Sequence, residues 1–176
     1  MKLIVRDIQE EPRRVVYEEP VGALNALLAA GGVCDFELPR NASVRLDYYR
    51  VGVEVFLQGH ITGQAIGHCA RCLESYPFEF GTDFSLVLVP REDLPVNMEL
   101  TEDDLDLAYY QGEEIDLGPI VDEHIILALP TRPLCNEACR GLCPTCGVNR
   151  NIHPCACETE QRDPRWAALR EIKLTR

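Results

Sequence analysis

No stretch of this chain approaches the roughly 20 apolar residues that a membrane-spanning helix needs. The first fourteen residues, MKLIVRDIQEEPRR, turn charged before a signal-peptide core can form. The expected protein is therefore soluble and cytoplasmic, with no membrane partner. Catalytic signatures are missing as well. There is no H-E-x-x-H, no H-x-E followed by P-C-x-x-C, no Walker loop and no G-x-G-x-x-G. The four histidines, His60, His68, His124 and His153, fall in no triad pattern. Nothing here argues for an enzyme or for a small-molecule substrate.

Positive charge is scarce and unevenly placed. The 176 residues include 17 Lys and Arg against 29 Asp and Glu, a net charge of −12. Residues 1–78 carry −2, residues 79–124 carry −13 and residues 125–176 carry +3. The acidic middle repels phosphate, which excludes non-specific nucleic-acid binding over the whole surface. Any RNA contact must be local and lie at the basic end. The acidic segment suits a basic partner, and ribosomal proteins are one such class.

Cysteine is abundant, and six of nine fall between Cys135 and Cys157 in C-NEA-C-RGL-C-PT-C-GVNRNIHP-C-A-C. A chain without an export signal meets a reducing cytosol, where clustered thiols bind metal. The odd count also forbids complete disulfide pairing. Cys143 and Cys146 have the two-residue gap of a zinc knuckle, and Gly147 follows. That gap lets both thiolates face one ion. Zinc is the expected cofactor; an iron–sulfur cluster and a redox switch are the alternatives.

A second two-residue pair, Cys69-Ala-Arg-Cys72, stands apart. The candidate ligands are Cys69, Cys72, Cys135, Cys139, Cys143, Cys146, Cys155 and Cys157, with His153 as a possible substitute. They divide into two sites, or the C-terminal cluster makes one alone, or Cys69/Cys72 join Cys143/Cys146 in a ribbon-like site. Spacing does not choose. A closed four-thiolate site is structural, because catalytic zinc keeps an open position.

The remaining pattern predicts an α+β chain: a small antiparallel sheet or half-barrel, a few helices and a C-terminal Cys-rich zinc module. KLIVRDI near the start reads as a strand and Pro20 to Ala30 as a short helix ended by Gly31-Gly32. Cys34 reads as a small buried apolar residue. From Asp35 to Pro90 apolar residues recur at period two, with Gly59-His60 and Thr62-Gly63 as turn punctuation. Cys69–Cys72 falls on a turn between strands. Residues 91–116 read as a solvated acidic connection; a docking segment anchored by Tyr109 and Tyr110 is the sharper alternative.

Asp116 to Leu129 predicts a helix with Asp116 as N-cap and Pro119 in the first turn. Its apolar face comprises Ile120, Val121, His124, Ile125, Leu127 and Ala128, with His124 packed rather than ligating. Asp163-Pro164-Arg165-Trp166 opens a last helix. The domain reading is 1–90 as a mainly β unit carrying the C-x-R-C pair, 91–130 as the acidic connection and a helix on the sheet, and 131–176 as the Cys-rich module with its helix.

Several blocks then occur in order: C-A-R-C-L-E at 69–74, D-E-H-I-I-L-A-L-P at 122–130, C-R-G-L-C-P-T-C-G-V-N at 139–149, C-A-C at 155–157 and D-P-R-W-A-A-L at 163–169. Together with the acidic middle they resemble the YceD family of large ribosomal RNA subunit accumulation proteins, from about residue 35 to the end. Asn149-Arg150-Asn151 looks like a variant of that family's Asn-Leu-Asn. The resemblance implies a metal-binding accessory factor in large-subunit rRNA accumulation and processing. Arg140, Arg150, Arg162 and Arg165 would then contact large-subunit rRNA or its precursor. A redox-switched, chaperone-like zinc protein and a purely structural protein-interaction module are the competing readings.

Overall fold

The computed structural model describes residues 1–30, 35–91 and 107–157. The elements run β1 (Lys2–Ile4), a 3-10 turn (Val5–Asp7), β2 (Arg13–Glu19), α1 (Gly22–Ala30), β3 (Phe36–Glu37), β4 (Ala42–Val51), β5 (Glu54–His68), β6 (Ser75–Pro90), β7 (Leu107–Tyr110), β8 (Glu114–Asp116) and α2 (Leu117–Ala128). The chain is α+β, and its main sheet is mostly antiparallel in the order β2-β4-β5-β6-β7, with β3 paired to β5. Among the described residues, only β7 runs parallel to its neighbour, β6. β1 and β8 form a separate two-stranded ribbon.

Period-two alternation sorts one face of the sheet inward. Val44 and Leu46 on β4, Val55, Leu57, Ile61 and Ala65 on β5, and Phe80, Phe84 and Leu88 on β6 are all buried. Leu24 of α1 and Leu117, Val121 and Ile125 of α2 belong to the same core. The α2 residues lie four apart, one helical stripe. Complete burial of such side chains stabilises by about 1.5–3 kcal/mol each. Asp116 caps α2, accepting a hydrogen bond from the Gly118 N–H at 3.0 Å. His124 stacks on the Phe84 ring at 4.5 Å between centroids, as the packed reading expects. Leu127, placed on the apolar face by sequence, is instead 71% exposed. It lies two positions past the inward stripe, about 200° around the helix from Ile125.

The punctuation assigned to Gly59-His60 and Thr62-Gly63 is wrong. Both pairs lie inside β5, which is fifteen residues long. Gly59 pairs with Phe84 and Gly63 with Phe80. A methyl group at Gly59 would fall within the Phe84 ring, and one at Gly63 would meet the Phe80 ring at 2.5 Å. Each glycine is a floor for an aromatic ring on the neighbouring strand. Pro77 is accommodated within a strand. It sits in β6 opposite Ile66, where β6 has β5 on one side only among the described residues, so no ladder donor is lost.

The solvated connection expected over 91–116 is overturned in its second half. Residues 107–110 extend the main sheet and residues 114–116 pair with β1. Ile115 is buried at 3% exposure. Acidic composition hid this, because Leu107, Ala108, Tyr110 and Ile115 are diluted among charges. Residues 92–106, Cys34 and the helix expected after Asp163 lie outside the described residues. None of the described helices is long and apolar enough to cross a membrane.

Gly59→Ala should lower the unfolding free energy by about 1–3 kcal/mol through overpacking, read from urea unfolding. In a Phe84→Ala background the same change should cost much less. Equal losses in both backgrounds would remove the ring-on-glycine explanation.

Candidate metal centres

The β5–β6 hairpin ends in a tight turn that carries the first cysteine pair. The Leu73 N–H donates to the Cys69 carbonyl at 2.8 Å, and the Cys69 N–H to the Glu74 carbonyl at 3.0 Å. Leu73 closes the turn with a left-handed φ of 61°. The second pair repeats the construction. The Gly147 N–H donates to the Cys143 carbonyl at 2.8 Å, and Gly147 has φ 72°. The same backbone position is held by glycine in one knuckle and by an exposed leucine in the other, where it costs roughly 1–2 kcal/mol.

After α2 the chain passes through Pro130 and Pro133 and runs against the β5–β6 turn. The Ala70 N–H donates to the Pro133 carbonyl at 2.8 Å, and the Leu142 N–H to the Arg71 carbonyl at 3.0 Å. Arg71 Nη1 donates to the Glu137 carbonyl at 2.7 Å and to the Cys139 carbonyl at 2.9 Å. Gly141 makes this approach possible. Its φ is 69°, and a Cβ there would stand 2.8 Å from the Arg71 carbonyl oxygen.

These contacts gather eight cysteines into two quartets. Cys69, Cys72, Cys135 and Cys139 form the first, and Cys143, Cys146, Cys155 and Cys157 the second. Within each, the sulfurs lie within 4.8 Å of one another. In the first, Cys69–Cys139 is 3.8 Å and Cys72–Cys135 is 3.7 Å. In the second, Cys143–Cys155 is 3.3 Å and Cys146–Cys155 is 3.5 Å. A tetrahedron with metal–sulfur bonds of about 2.3 Å has edges of about 3.8 Å, and disulfide bonds are about 2.05 Å. Both quartets therefore fit one tetrahedral thiophilic ion each. The ribbon-like pairing of Cys69/Cys72 with Cys143/Cys146 does not occur. His153 is exposed and belongs to neither quartet.

The thiol acidities point the same way. Burial opposes ionisation of Cys69, but the backbone amides of Cys135, Cys72 and Arg71 outweigh it and bring the thiol down to about 6. The amides of Cys146 and Thr145 bring Cys143 down to about 6. Burial and then the surrounding sulfurs push Cys135 up to about 12, and Cys155 and Cys146 do the same to Cys157. Each quartet thus has sulfurs that ionise readily beside sulfurs that resist it, Cys69 and Cys139 against Cys72 and Cys135 in the first and Cys143 against Cys155 and Cys157 in the second. A divalent cation removes that resistance.

Two asparagines noted in the sequence only as part of a family motif, with no role assigned, join the centres. Asn151 Nδ2 donates to Cys139 Sγ at 3.2 Å and to Asn149 Oδ1 at 2.9 Å, while Asn151 Oδ1 accepts from the Arg140 N–H at 2.8 Å. Asn149 Nδ2 reaches Glu74 Oε1 at 3.3 Å. Such outer hydrogen bonds orient ligands. The N-x-N spacing was the available signal, as was the Arg within C-A-R-C. Of the four arginines expected to contact RNA, Arg140 and Arg150 are exposed. They lie on neighbouring strands of chain, the Arg150 N–H donating to the Gly141 carbonyl at 2.9 Å. Arg162 and Arg165 lie outside the described residues.

Comparison with known proteins adds a family. The model described as "Large ribosomal RNA subunit accumulation protein YceD" matches residues 57–173. An uncharacterized protein of Mycobacterium tuberculosis is 35% identical over 118 residues, covering 67% of this chain and 55% of its own length. The uncharacterized protein YlbN of Bacillus subtilis is 31% identical over 115 residues, covering 64% and 62%. The Arabidopsis thaliana protein named "Large ribosomal RNA subunit accumulation protein YCED homolog 1, chloroplastic" is 27% identical over 153 residues, covering 74% and 48%. The chain spans about half the length of the curated relatives it matches. No solved structure matches.

Two metal ions per chain are expected by elemental analysis. Cys72→Ser with Cys135→Ser should leave one, and so should Cys146→Ser with Cys155→Ser; a single ion in the unsubstituted protein would mean that only one quartet binds. Leu73→Gly should raise the unfolding free energy by up to about 1 kcal/mol, since φ > 0 is free for glycine. A loss would show that the leucine side chain holds a stabilising contact.

Proposed function

Because the chain belongs to the YceD family of large ribosomal RNA subunit accumulation proteins, we propose that it is a two-zinc accessory factor in large-subunit rRNA accumulation and ribosome assembly. It acts in the cytoplasm and catalyses no reaction. The observation that carries this reading is the first quartet, whose ligands come from the β5–β6 turn and from a segment more than 60 residues later. An ion there fixes the Cys-rich segment on the sheet and holds Arg140 and Arg150 side by side in solvent. Four thiolates leave a zinc ion no open position, so its part is structural.

Arginine suits phosphate through its planar fork. Zinc with four thiolates carries about −2, so phosphate contact in the Cys-rich segment is confined to local arginine patches such as this one. Large-subunit rRNA or its precursor is the proposed ligand. The acidic middle of the chain, net −13 over residues 79–124, is proposed to face a basic ribosomal protein.

The protein should co-sediment with large-subunit precursors at low salt and contain zinc without visible colour. Arg140→Ala with Arg150→Ala should weaken binding across RNA sequences and reduce the magnitude of the salt-dependence slope by about two. Unchanged binding in that variant would favour a protein-interaction module, and visible absorption would redirect the reading to iron–sulfur chemistry.

A further inference from the structure

The two quartets are built alike but are not equally protected. In the first, Cys69, Cys72 and Cys139 are 0%, 4% and 6% exposed and Cys135 alone of the four is exposed, and Arg71 and Asn151 brace the loop around them. In the second only Cys143 is buried; Cys146 is exposed and Cys155 and Cys157 are half-exposed. The second also draws its ligands from one short stretch, with contacts spanning nine and twelve residues against 63 and 70 in the first. Losing an ion from the second site breaks no tie to the sheet.

Cys155 is the hub of the exposed quartet, and its sulfur is 3.5 Å from that of Cys146. Both sulfurs belong to side chains that solvent reaches. We propose that Cys146 and Cys155 form a peroxide-oxidisable thiol pair whose conversion to a disulfide releases the ion of the second centre while the first stays intact. This rests on reading both quartets as zinc sites. The Cys146 thiolate attacks one oxygen of a peroxide such as hydrogen peroxide, the O–O bond breaks, and a sulfenic acid and hydroxide form. The Cys155 thiolate then attacks that sulfur, the S–S bond forms, and a second hydroxide leaves. Two electrons pass from the two sulfurs to the peroxide. Zinc, left with two thiolates, dissociates. The short reach between the sulfurs favours this closure over further oxidation of Cys146.

The test uses the full chain loaded with zinc. Zinc is counted first, hydrogen peroxide is added, and release is followed with a chromophoric chelator while disulfides are mapped by peptide mass. One equivalent should leave at least about tenfold faster than the other, as exposure controls thiolate oxidation. The first mapped disulfide should join Cys146 to Cys155. Cys155→Ser should start with one equivalent and lack the fast phase. Simultaneous release of both ions, or a first disulfide containing any cysteine other than Cys146 and Cys155, would overturn the proposal. A count below two before peroxide would contradict the zinc reading itself; the site of the first disulfide in that protein would still support or refute the reactive pair.

Discussion

Everything distinctive about this molecule depends on the junction where the C-terminal segment meets the β5–β6 turn. Four backbone carbonyls, those of Pro133, Arg71, Glu137 and Cys139, accept hydrogen bonds across it. Each such bond is worth only about 0.5–1.5 kcal/mol net, and the segment between Leu134 and Cys157 contributes little to the apolar core. Those bonds offset only part of the conformational entropy lost when that segment is ordered. Four sulfurs converging from both sides would add to them on sharing an ion, because metal binding to a site that exists only in the folded chain stabilises the fold.

The sheet and the junction were legible in the sequence to different degrees. Period-two alternation in β4 and β5 and the Asp116 cap of α2 could be read directly, because local geometry imposes them. The glycines of β5 could not. Gly59 and Gly63 look like turn residues until the partner strand places Phe84 and Phe80 over them, and that pairing is non-local. β7 and β8 were lost for a similar reason: they are three or four residues long, and their acidic surroundings match a linker better than a strand. The cysteines announced a metal but not their partition. Cys135 and Cys139 sit next to Cys143 in sequence, yet the junction turns them toward Cys69 and Cys72.

The same geometry gives the two arginines their character. Arg71 is consumed by carbonyls at the junction, whereas Arg140 and Arg150 stand outside it on paired backbone. Asn151 links them to the first quartet, accepting from the Arg140 amide while donating to Cys139 Sγ. An ion in the first quartet and the position of the arginines are thus mechanically connected. The second quartet includes the turn at Gly147, which the Leu142–Asn149 bridge encloses, and is the more open to solvent.

Amide hydrogen exchange on the metal-loaded and chelator-treated protein tests the junction most directly. The Ala70 and Leu142 amides donate across it, while amides of β4 and β5 report on the sheet alone. Metal removal is predicted to abolish protection at Ala70 and Leu142 and to leave the β4–β5 ladder protected. Full protection at both junction amides without metal would show that hydrogen bonds alone hold the segment, and would contradict the dependence on the first centre.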